Sequence, residues 1–163
     1  MTEKQKINLQ KILFALPDDY REAYREVAEY AMSLGYNPKL NPGETYADFV
    51  KSKNRRTVMK IDTNGQPRLA VRFDALPVCT GIFEEAVEHR RKPCITREYN
   101  HCARCEGTWG SKYTLPDGKE YVICSTVIDI PAFSVSNISA DSISAVKEAL
   151  KVQDDYLMSL ITA

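Results

Sequence analysis

The chain has 163 residues, 44% of them hydrophobic, which is enough to bury a core without disulfide staples. Lys and Arg total 22 and Asp and Glu total 22, so there is no global field to recruit nucleic acid or anionic lipid. Apolar runs are short, and the N-terminal residues lead into a charged amphipathic segment rather than a signal sequence; the expectation is a soluble, cytoplasmic protein with no membrane partner.

In chain order, Ile7, Leu9, Ile12, Leu13 and Leu16 predict a short first helix closed by Pro17. Asp18 or Asp19 then supplies an N-cap, and Asp19 with Glu22 has capping-box spacing. Tyr20, Tyr24, Val27, Ala31 and Leu34 form the stripe of a second helix, from about Asp18 to Leu34, with Gly35 placed as the residue that ends it. Tyr36 to Glu44 holds two prolines and a glycine and reads as a connector.

Tyr46–Val50 is a short strand candidate, followed by stronger strands at residues 57–61 and 68–73 around an Asn64-Gly65 turn. A two-residue loop would place apolar Ile61 opposite Arg68. A five-residue loop instead sets Met59 and Ile61 on one face with Val71 and Leu69. It also opposes Asp62 to Arg68 and Arg56 to Asp74. The odd loop is therefore expected.

Thr80 caps a third helix through about His89, carrying Ile82, Phe83, Ala86 and Val87 for burial. An irregular stretch up to Trp109 is expected next. Residues 112–115 and 119–125 flank Pro116-Asp117-Gly118 and predict a second hairpin, in which Tyr113 pairs with Tyr121 and Gly110 with Cys124. Val127 to Ile130 either continues that strand or starts another. Asp141 caps a last helix near 141–160, with Ile143, Val146, Leu150, Leu157 and Leu160 as its buried stripe. The expected class is α+β: a single domain with an antiparallel sheet that includes 57–61, 68–73, 112–115 and 119–125, and helices packed on one face.

The cysteines are the most pointed chemical feature. Four of the five lie between Cys94 and Cys124, and Cys102-Ala-Arg-Cys105 lets one turn aim two thiolates at one point. The hairpin returns Cys124 toward that turn, and the eighteen residues between Cys105 and Cys124 fit a zinc-ribbon spacing. A ribbon would carry another cysteine where Val127 stands, so the fourth ligand comes from elsewhere. Cys94, eight positions before Cys102, is the choice. His101 is the rival, but it adjoins Cys102 and two neighbouring ligands crowd one ion. The expected site is a structural zinc on Cys94, Cys102, Cys105 and Cys124. The alternatives are buried reduced thiols and a redox-active Cys102/Cys105 pair. Cys79 stands apart and is expected to pack.

Two basic clusters, Lys51/Lys53/Arg55/Arg56 and His89-Arg90-Arg91-Lys92, could touch phosphates, although the neutral net charge weighs against a dedicated nucleic-acid binder. Trp109 is expected to cap the cysteine turn or the hairpin rather than line a ligand pocket. With two histidines, no hydrolytic triad can be assembled. The functional expectation is a non-catalytic binding or interaction domain with a small-molecule or protein partner. A thiol-redox protein and a weak nucleic-acid binder are the alternatives.

The Cys102-Ala-Arg-Cys105 turn, the Tyr113–Gly118 turn, Cys124 and the Lys151-Val-Gln-Asp-Asp-Tyr156 stretch resemble an uncharacterised family of small bacterial cytosolic proteins. That resemblance implies a bacterial, cytosolic domain and carries over no catalytic residue. The element order is also similar to that of small α+β domains of the YjbR type, a likeness of fold alone.

Overall fold

Thr2 is the N-cap of the first helix. Its hydroxyl and the Gln5 side chain bond each other's backbone N–H groups in a capping box, which starts helix α1 (Glu3–Phe14) ahead of the apolar stripe that marks it in the sequence. The computed structural model describes residues 2–73, 81–95, 111–114, 118, 120–123 and 127–162, with 90–95, 111–114, 120–123 and 162 described by backbone alone.

Helix α2 spans Asp18–Ser33. Its N-cap is Pro17, which makes no side-chain cap bond, so Asp18 and Asp19 act inside the first turn, where a carboxylate favours the positive end of the helix. At the other end Gly35 adopts φ +92°. Its N–H bonds the Met32 carbonyl, and the Tyr36 N–H bonds that of Ala31. This is a Schellman close, which glycine enters without steric penalty.

The expected connector after it is in fact an edge strand, β1 (Asn37–Leu40), paired antiparallel with β2 (Tyr46–Val50). Two local features permit this. The Asn41 side-chain oxygen accepts from the Thr45 and Tyr46 N–H groups and shapes the turn. Pro38 sits at the edge of the sheet, where its missing N–H costs no ladder bond, and its carbonyl takes a hydrogen bond from the Asn8 amide of α1 at 3.0 Å.

Strands β3 (Thr57–Asp62) and β4 (Arg68–Arg72) pair in the register of the five-residue loop: Met59 with Val71, Ile61 with Leu69, Asp62 with Arg68. The Asp62–Arg68 ion pair closes at 2.6 Å. The other expected pair involves Asp74, which lies outside the described residues.

Helix α3 runs Ile82–Ile95, past the expected end at His89. Pro93 stands inside this added length, where a proline removes one backbone donor. In the last turn that loss is a single bond, and the helix continues through it. Strands β5 (Ser111–Thr114) and β6 (Glu120–Ile123) pair as expected, Tyr113 opposite Tyr121, but they form their own two-stranded sheet. The expected single sheet is thus corrected. The free edge of β4 is occupied by β7 (Val127–Asp129), with Val71 opposite Ile128. Residues 127–129 are therefore a new strand, and no edge of β4 is left for the hairpin. A 3-10 turn (Pro131–Phe133) leads to α4 (Ala140–Thr162). The hydroxyl of Ser139, rather than Asp141, accepts from the Ser142 N–H in the N-cap position.

The main sheet is antiparallel with order β1-β2-β3-β4-β7. Its period-2 alternation puts Ala47, Phe49, Met59, Ile61, Leu69, Val71 and Ile128 on one face. All are buried, and they form one core cluster with Ile12 and Leu13 of α1, Tyr24 and Val27 of α2, Phe83 and Val87 of α3, and Val146 and Leu150 of α4. A bulge between Phe49 and Val50 leaves Val58 as an extra buried residue in β3. The opposite face carries Tyr46, Asp48, Lys60, Asp62, Arg68 and Asp129. This is an α+β fold with its helices on one face of the sheet. Among the described residues, no helix is long and apolar enough to cross a membrane.

Candidate functional site

Cys79, His101, Cys102, Cys105, Trp109 and Cys124 lie outside the described residues. Cys94 falls in the last turn of α3 rather than in an irregular segment. Among the described residues, no group of three or more His, Cys, Asp or Glu side chains converges on a point that could hold a metal ion. His89 is exposed on α3, and Arg90 to Lys92 follow it in the same helix.

The best-organised polar site that is described was not anticipated. It stands at the end of the sheet where α2 closes, β2 ends and α4 crosses. Tyr36, directly after the Gly35 helix stop, is fully buried and donates its hydroxyl proton to Asp154 Oδ1 at 2.9 Å. The same hydroxyl accepts from Asn54 Nδ2 at 3.2 Å. Lys51 Nζ reaches the same Asp154 oxygen at 2.7 Å and sits 5.2 Å from the centre of the Tyr36 ring. Arg72 is nearby and donates from Nε to the Thr57 carbonyl at 2.7 Å.

Burial raises the Tyr36 pKa well above that of a free phenol. The Asn54 bond opposes that rise and the Asp154 bond adds to it. Tyr36 therefore stays a neutral donor at any physiological pH, which suits a structural hydroxyl and not a base. The sequence does hold a signal for this cluster. On α4 the buried stripe passes from Leu150 to Leu157 through Gln153 and Asp154, two polar residues at core spacing, and both are buried.

A second polar region covers the open face of the sheet. Lys60 Nζ lies 3.6 Å from the Tyr46 ring centre, and Arg68 bridges Asp62 at 2.6 Å and Asp129 at 3.9 Å. Lys60, Asp62, Arg68 and Asp129 surround a recess of about 160 Å³. Asp48, which lies opposite Lys60 in the ladder, has its carboxyl pKa raised by burial, with Lys60 pulling the other way. An acid whose folded-state pKa exceeds its unfolded value holds an extra proton when folded, so stability falls as pH rises through the carboxylate range. Asp48→Asn is therefore expected to raise the melting temperature at neutral pH. The gain should shrink as pH drops below that range, in melts followed by circular dichroism. A loss at neutral pH would mean that attraction to Lys60 outweighs the cost of burial.

A third feature, a groove of about 720 Å³ between α1 and α2, is lined in part by Leu9, Leu13, Phe14, Arg21 and Arg25. Its cations already have carboxylate partners on the same surface, Arg21 with Asp18 at 2.6 Å and Arg25 with Glu22 at 2.5 Å. Phe14 is 80% exposed beneath the Arg21 guanidinium.

None of the three regions sets a nucleophile against a base. Each is a network of paired charges or an open surface, suited to holding structure or contacting a partner. No family model, no curated protein and no solved structure matches the chain, so its function is argued from this chemistry alone.

Proposed function

We propose that the chain is a non-catalytic binding or interaction domain whose 94–124 region is organised by one structural zinc on Cys94, Cys102, Cys105 and Cys124. One observation supports the reading: α3, with Cys94 in its last turn, packs against β6, and β6 ends one residue before Cys124. Ser111, six residues after Cys105, is the cross-strand partner of Ile123. The segment that carries Cys102 and Cys105 thus links a helix and a hairpin that are already in contact. A metal cross-link there would close a short loop.

Four thiolates are a donor set that zinc takes in tetrahedral geometry, with no open position for chemistry. The metal would supply folding energy and no reaction. Because the unfolded chain lacks the site, metal binding and folding are coupled.

The test is elemental analysis of protein purified without added metal, joined to a thermal melt with a strong chelator. About one zinc per chain is expected, with a lower melting temperature in chelator that Cys124→Ser reproduces and Cys79→Ser does not. Zinc near zero with no chelator effect would return the cysteines to packing. A metal-free, reversible disulfide between Cys102 and Cys105 would replace this reading with a thiol-redox one.

A further inference from the structure

The loop joining β2 to β3, residues 51–56, carries four cations: Lys51, Lys53, Arg55 and Arg56. Asp154 neutralises Lys51, and the net charge left on the loop is three positive (four cations less one carboxylate). Lys53, Arg55 and Arg56 are exposed, and among the described residues none of them meets a carboxylate. Several cations of the helical surface differ in this respect: Lys11, Arg25 and Lys147 each have an acidic partner at 2.5 Å.

The loop is also held in shape. The Arg55 N–H bonds the Lys51 carbonyl at 2.9 Å, the Arg56 N–H bonds Asn54 Oδ1 at 3.0 Å, and the Asn54 amide is anchored to the buried Tyr36 hydroxyl. Arg55 adopts φ +53°, a left-handed conformation that disfavours a residue with a Cβ and that glycine or asparagine enters more easily. A guanidinium is thus presented from a backbone position strained for arginine, on a loop tied to the core, beside two further cations that meet no carboxylate among the described residues. Strain of this kind gathers where a side chain is held for contact.

We infer that this loop binds the phosphate backbone of a nucleic acid through Lys53, Arg55 and Arg56, without reading bases. Guanidinium groups match phosphate oxygens in pairs, and attraction to phosphates needs no apolar surface. An acidic protein segment would gain affinity from hydrophobic contacts beside the charges. Among the described residues, none of the large exposed hydrophobic side chains lies in the loop or on β2 or β3. The zero net charge of the chain adds no global attraction to that of the loop, and binding should be weak and steeply salt-dependent. The inference rests on the reading of the chain as a binding domain and not on its zinc. Metal content and oligonucleotide affinity are separate measurements, so either can fail alone.

The experiment is fluorescence anisotropy of labelled single-stranded and duplex oligonucleotides titrated with the full chain at several salt concentrations. Three duplex phosphate contacts give a log–log salt slope of about −2.7, a loss of about 40-fold in affinity between about 50 and 200 mM salt. The variant Arg55→Gly/Arg56→Ala removes both guanidinium groups and relaxes the strained position, so its melting temperature should hold. Its salt slope should fall by about 1 for each arginine. Lys4→Ala/Lys39→Ala, which removes the same charge elsewhere, should keep the wild-type slope. Absence of binding at low salt, or a slope unchanged in the double arginine variant, would overturn the inference. So would displacement of the oligonucleotide by a glutamate-rich peptide at equal concentration, which would assign the loop to an acidic protein instead.

Discussion

Asp154→Ala is expected to destabilise the protein by about 3–5 kcal/mol, a fall in melting temperature on the order of 10 °C for a chain of this size. The Lys51 and Asp154 side chains are only 14% and 11% exposed, so removing the carboxylate leaves an ammonium group in a nearly dry site. The Tyr36 hydroxyl loses its acceptor in the same step. The loss comes from stranding these groups and not from any large net attraction within the pair, because desolvation offsets most of the Coulomb energy. A second variant separates the two ideas. Lys51→Met/Asp154→Leu removes both charges with side chains of comparable bulk and should recover the part of the loss that comes from the stranded ammonium, measured by urea unfolding, while the Tyr36 hydroxyl still lacks its acceptor. A double variant as unstable as the single one would instead make the ion pair a strong net stabiliser. Asn54 and the 51–56 loop are tied to the same hydroxyl, so Asp154→Ala should also loosen that loop.

Phe49→Ala is expected to cost about 3–5 kcal/mol, through lost burial and the cavity left behind. Phe49 is fully buried in β2, pairs with Pro38 on one side and Met59 on the other, and sits at the bulge where β3 gains Val58. Neighbouring strands fix the backbone there, so little collapse into the gap is available. Phe14→Ala is the matched control. With a ring 80% exposed it should change stability by less than about 0.5 kcal/mol. Denaturant unfolding of the two variants tests the assignment, and equal losses would mean that the Phe14 ring is buried against something in solution.

Much of the fold could be read directly from the residues, wherever the controlling interaction is short in sequence. The β3–β4 register followed from Asp62 facing Arg68 and from apolar residues sharing one face across a five-residue loop. The Tyr113–Tyr121 pairing followed from the turn between those strands. Gly35 marked the end of α2, where its left-handed φ closes the helix. Local misreadings had local causes as well. Thr2 and Gln5 start α1 with polar side chains, before any apolar period can be seen. Pro38 argued against a strand, although an edge position tolerates it.

The candidate site was less legible, because its members are far apart in sequence. Tyr36 and Asp154 stand 118 residues apart, and nothing in the neighbourhood of either names the other. The polar interruption at Gln153 and Asp154 could have flagged the helix face, but not its partner. Likewise, which of Lys51, Lys53, Arg55 and Arg56 meets an acid depends on what the fold brings near, and among the described residues Lys51 finds Asp154 while the other three find none.

The α+β class, the two hairpin registers and the side of the sheet that meets the helices were all legible in the residues. Each of these follows from turn chemistry and side-chain period over a few residues. Long-range packing sets the rest: β7 takes the free edge of β4 and leaves β5 and β6 as a separate sheet. The sharing of Asp154 by Lys51 and Tyr36 is of the same kind. Edge pairing and buried polar contacts are settled by competition between distant segments for one surface, and the energies of the rival pairings differ through packing that no local pattern records.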